Sequence, residues 1–79
     1  MLVVTMDMRS LREQSGLRAE IVAVELDMSI STIRNWEAGR TIPTMSIYQV
    51  AKLLKLYNCS FETLKEAVSQ SRQQSGFTD

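Results

Sequence analysis

The chain contains no histidine, one cysteine (Cys59), one proline (Pro43) and three isolated glycines, at 16, 39 and 76. Each scarcity closes a class of function. Without histidine, and with a single thiol, neither a zinc site of nitrogen and sulfur ligands nor a histidine-based catalytic triad can be assembled. Scattered glycines exclude a glycine-rich phosphate loop. Cys59 can form no internal disulfide, which suits a reducing cytoplasm, and it reads as a small buried hydrophobe. No run approaches the roughly 20 apolar residues of a membrane span, and the N-terminus lacks the basic-then-apolar layout of a signal peptide. Charge of one sign is missing too. Nine basic and nine acidic side chains cancel, and residues 1 to 55 hold seven basic and six acidic, so neither the whole nor a half is strongly basic. Glu20, Glu25 and Glu37 fall on helices without the partner arrangement of acid–base chemistry. The expectation is a protein that is not an enzyme, with no cofactor, metal, membrane or small-molecule ligand.

What is present is helical periodicity. Seventy-nine residues, 44% of them hydrophobic, suffice for one domain, with no room for a second, effector-sensing module. Met8 and Leu11, three apart, begin a first helix that stops at Ser15-Gly16. A second is expected from about Ala19 to Leu26 and a third from about Ile30 to Ala38, stopped by Gly39. Arg40 to Thr44 forms a loop around Pro43. A fourth helix is expected from about Met45 to Leu56, burying Ile47, Val50, Ala51 and Leu54. Tyr57-Asn58-Cys59 reads as a connector with Asn58 left-handed. Ser60 caps a fifth helix whose buried stripe is Phe61, Leu64 and Val68. The organisation is an N-terminal arm over 1–7, a domain over 8–72 and a flexible tail over 73–79. Within the arm, the β-prone Leu2-Val3-Val4 can lie free, pack on the core or pair with a second chain.

The segment from Leu17 to Glu37 is the most telling. Its two short helices meet across an elbow, Asp27-Met28-Ser29, tight enough for a helix-turn-helix. Ala23 allows close approach, Asp27 tolerates left-handed backbone, Met28 turns inward and Ser29 caps the next helix. Val22, Leu26, Met28, Ile33 and Trp36 make one apolar seam, which leaves Ile30, Ser31, Arg34 and Asn35 facing outward. A rigidly held short helix with an exposed polar N-terminal half has the geometry that enters a DNA major groove.

Four elements in order then carry a resemblance: Leu-Arg-Glu-Gln-Ser-Gly-Leu at 11 to 17, Ser-Thr-Ile-Arg-Asn-Trp-Glu-Ala-Gly-Arg at 31 to 40, Pro43-Thr44, and Ala51-Lys52-Leu53-Leu54. Over residues 8 to about 65 the chain resembles the Cro/C1-type (XRE-like) helix-turn-helix regulators. The resemblance implies an all-α, compact five-helix λ-repressor-like DNA-binding domain. It implies base-reading residues at Ile30, Ser31 and Asn35, with Arg34 on the flank taking a guanine or a phosphate. Phosphate contacts are implied from Arg18 and Ala19 at the second helix N-terminus, from Thr32, and from Arg40, Thr41 and Thr44 in the loop. It further implies a structural ion pair between Arg12 and Glu37. Ile30 stands where glutamine or arginine is frequent, so it meets either a thymine methyl or another protein. Ala19 replaces a frequent glutamine, and Asp27 a frequent glycine. The resulting expectation is a small cytoplasmic transcriptional regulator or repressor, a homodimer on double-stranded DNA. A protein-interaction module or an antitoxin that keeps the same fold is the alternative.

Overall fold

Helix ends set this architecture. The computed structural model describes residues 6 to 74, in which five helices follow one another: α1 (Met8–Gln14), α2 (Ala19–Leu26), α3 (Ile30–Glu37), α4 (Ile47–Tyr57) and α5 (Phe61–Gln74). Each of the first four is closed by a residue of positive φ: Gly16 at 74°, Asp27 at 56°, Gly39 at 75° and Asn58 at 51°. The N–H of the following residue then donates back into the last turn. Leu17 reaches the Arg12 carbonyl at 3.4 Å, Met28 that of Ala23 at 2.9 Å, Arg40 that of Asn35 at 3.0 Å and Cys59 that of Leu54 at 3.1 Å. This is the Schellman closure, used four times to satisfy carbonyls that a helix end leaves open. The expected elbow, with Asp27 left-handed and Ser29 as cap, forms, and so does the left-handed Asn58.

Starts are equally well specified. Asp7, Ser29, Ser46 and Ser60 each accept a hydrogen bond from the backbone N–H three residues on, at 2.8 to 3.2 Å. Arg18, which begins α2, supplies no side-chain cap.

The fold is all-α among the described residues, as expected. Its core draws on every helix: Met8 and Leu11, Val22 and Leu26, Ile33 and Trp36, Leu53 and Tyr57, Leu64 and Ala67. α2 packs on α3 and α4, while α5 lies against α1 and α3. The Met8 N–H donates to the buried Ser71 Oγ at 2.9 Å, which ties the start of α1 to α5.

Several expectations are corrected. α4 begins at Ile47 rather than Met45, because Ser46 and Gln49 form a reciprocal capping box that fixes the first turn. Its buried face is Leu53 and Tyr57, with Val50 and Leu54 half-buried; Ile47 is 78% exposed and Ala51 also faces water. Tyr57 is therefore the last turn of a helix and a core residue, not part of a connector. In α5 the buried stripe is Leu64, Ala67 and Ser71, with Val68 beside it, whereas Phe61 is 56% exposed. Cys59 is half-buried rather than fully so, and desolvation raises its thiol pKa. α5 continues to Gln74, into the segment read as tail. Leu2-Val3-Val4 lies outside the described residues.

Candidate nucleic-acid interface

α3 is held from both ends before any of its outward side chains is considered. At its start, Ser29 Oγ accepts the Thr32 N–H at 3.2 Å and shares a 2.9 Å hydrogen bond with Thr32 Oγ1. At its end, the Arg12 guanidinium holds Glu37 through Nε to Oε2 at 2.6 Å and Nη2 to Oε1 at 3.1 Å. The third nitrogen, Nη1, donates to the Leu17 carbonyl at 2.9 Å. Two parallel N–H donors meeting a carboxylate is the strongest ion-pair geometry that side chains offer. The hydrogen bonds that Arg12 donates to Glu37 raise the Arg12 pKa against the desolvation that lowers it. Both side chains are mostly covered, at 12% and 9% exposure, so the pair is a clamp and offers little to a ligand.

Beyond the clamp, the surface divides into three parts. A groove of about 560 Å³ runs between α1, the start of α2 and α3, and is lined by Arg9, Arg18, Ala19, Glu20 and Arg34 together with the clamp residues. Arg18 and Arg34 are exposed there. Ala19 is only 8% exposed, so its methyl belongs to the core, and its contribution to a ligand is limited to the main chain of an N-terminus with no side-chain cap. Amides of that kind, backed by the positive end of the helix dipole, suit a phosphate oxygen. Arg34 thus stands on the flank with Arg18.

The second part is the outer face of α3. Ser31 is exposed, whereas Asn35 is half-buried and accepts a hydrogen bond at Oδ1 from Arg40 Nη1 at 3.4 Å. Ile30 does not point outward as expected. It is half-buried and packs against the core, because an apolar side chain at the first turn finds cover beside the elbow. Thr32 turns its hydroxyl to Ser29 and works in the cap.

The third part is the loop after α3. Arg40, Thr41 and Thr44 are exposed, and Thr44 borders a separate apolar groove of about 480 Å³ between the loop, α4 and α5. Arg9 was not singled out in the sequence, although its spacing of three from Arg12 places both on one helix face. It forms an exposed ion pair with Glu13 at 3.2 Å at the edge of the first groove.

Among the described residues, no group of histidine, cysteine or carboxylate side chains is arranged to hold a metal, and no helix is long and apolar enough to cross a membrane. A family model described as a helix-turn-helix domain matches residues 7–68. No curated protein and no solved structure matches the chain.

Proposed function

This chain belongs to the helix-turn-helix domain family, which points to DNA binding, and from that premise we propose that it is a sequence-specific transcriptional regulator of the Cro/C1 type. It lays α3 in the major groove of double-stranded DNA and acts as a cytoplasmic homodimer, by binding alone and without catalysis. The observation that carries this reading is the fixation of α3. Cap, elbow and clamp immobilise the helix, while Ser31, Arg34 and Asn35 remain on its accessible side. A rigid helix spends no binding energy on ordering itself.

Roles follow from chemistry. Asn35 pairs with the N6 and N7 edge of adenine, and Ser31 donates to or accepts from a neighbouring base. Arg34 and Arg18 meet the backbone on the flank, joined by the uncapped amides of α2. Thr41 and Thr44 extend contact along the strand. Zero net charge keeps non-specific affinity modest, so two copies on one site are needed for tight binding. In this reading the second copy docks on the apolar groove bounded by Ile42, Pro43, Met45, Phe61 and Leu64, where Ile42 and Phe61 are exposed. Two recognition helices about 34 Å apart then read half-sites one DNA turn apart.

Selection of sites from a random pool of duplexes tests this directly. Enrichment of a two-fold-symmetric sequence is the expected result. A folded protein that enriches nothing sinks the reading and favours a protein-interaction module built on the same fold.

A further inference from the structure

Arg40 breaks the pattern that the helix ends share. In the equivalent position after α1, α2 and α4 stand Leu17, Met28 and Cys59, each packed against the core as apolar cover for the last turn. After α3 the position holds an exposed arginine. Its backbone N–H reaches the Asn35 carbonyl at 3.0 Å, and its side-chain Nη1 reaches Oδ1 of the same Asn35 at 3.4 Å. One pair of residues is thus linked twice. The main-chain bond fixes where the Arg40 side chain starts, and the guanidinium returns along α3.

Resting on the reading that α3 enters the major groove, we propose that Arg40 is a positioning residue for base recognition, which selects one of the two flipped orientations of the Asn35 carboxamide. A carboxamide carries an acceptor on one arm and two donors on the other, and a half-turn about its last torsion exchanges them. Adenine needs the acceptor opposite N6 and the donor opposite N7, so only one of the two orientations pairs. Oδ1 keeps a second lone pair for adenine while it accepts from Arg40. A charged donor on Oδ1 also polarises the amide and strengthens Nδ2 as a donor. Arg40 thereby sharpens the choice of a base that it does not itself touch, a role different from a phosphate contact.

A double-mutant cycle separates the two roles. Binding of the parent, Arg40→Ala, Asn35→Ala and the double variant is measured on the selected site and on sites changed at each base pair. Positioning predicts that Arg40→Ala relaxes preference by about fivefold or more at the base pair read by Asn35. The same effect should vanish in the Asn35→Ala background. In the free protein, Arg40→Ala should also shift the nuclear magnetic resonances of the Asn35 side-chain NH2 group. A phosphate role predicts instead an equal loss on every sequence, additivity with Asn35→Ala and a shallower salt dependence, and that result overturns the proposal. A parent that selects no site overturns the underlying reading instead; an unchanged Asn35 resonance in the free protein removes the contact and overturns the positioning proposal whatever the DNA result.

Discussion

Arg12 and Glu37, twenty-five residues apart in the chain, meet through two nitrogens and two oxygens at 2.6 and 3.1 Å. Because the third guanidinium nitrogen is spent on the Leu17 carbonyl, a single side chain joins α1, the linker into α2 and the end of α3. The orientation of α3 relative to the start of α2 is set here, and with it the spacing of any base contact from any phosphate contact.

Glu37→Ala should therefore cost about 3 kcal/mol, since it leaves a mostly covered guanidinium without its counter-charge. Arg12→Met with Glu37→Leu should recover much of the loss by removing both charges. Chemical denaturation of the three proteins checks this; a double variant no more stable than Glu37→Ala contradicts it.

The buried face of α4 gives a second expectation. Leu53→Ala should cost about 2–5 kcal/mol, because it opens a cavity where the side chain is fully enclosed. Ile47→Ala should change stability by about 0.5 kcal/mol or less, being at the exposed rim of the first turn. Equal effects in thermal melts would be incompatible with the packing described.

Tyr57 links the same core to pH. Burial raises its phenol pKa well above the ordinary 10.0, Glu37 adds to the rise and Arg12 opposes it. The unfolded chain gives up this proton first, so the contribution is complete below pH 10 and is lost as pH climbs from there toward the folded value. Each unit of pH in that window costs up to about 1.4 kcal/mol. Denaturant midpoints for the parent should fall more steeply than those of Tyr57→Phe between about pH 10 and about pH 11; parallel slopes would exclude the assignment.

At the elbow, Asp27→Val should destabilise by about 1–2 kcal/mol, since a β-branched side chain fits poorly at φ 56°. Asp27→Gly should be tolerated. A melting temperature unchanged in the valine variant would mean that the turn readily adopts another conformation.

Helix ends were legible in the sequence because glycine, aspartate and asparagine announce left-handed backbone and serine announces a cap. Gly16, Asp27, Ser29, Gly39, Asn58 and Ser60 all do so here. The face of α4 was not legible. Ile-Tyr-Gln-Val-Ala-Lys-Leu-Leu-Lys-Leu-Tyr is apolar on more than one side, so periodicity admits two stripes, and only packing against α1 and α2 chooses Leu53 and Tyr57. The Ser46–Gln49 capping box was present as a motif and would have moved the helix start by two residues. In the candidate interface, Arg34 and Arg18 are brought to one groove and Asn35 to Arg40, while Ile30 is drawn inward. That inward turn depends on packing against the assembled core, which no local pattern reports.

The most direct measurement is competition between the selected duplex and a scrambled one for the parent and for Ser31→Ala with Asn35→Ala, at physiological salt. Ser31 is exposed and Asn35 half-buried, and neither belongs to the core, so the variant should fold as the parent does. The account predicts that it loses about 1–3 kcal/mol of preference per lost base contact while retaining its salt-dependent non-specific binding. A folded variant that discriminates the two duplexes as well as the parent would contradict the assignment of α3 as the reading helix.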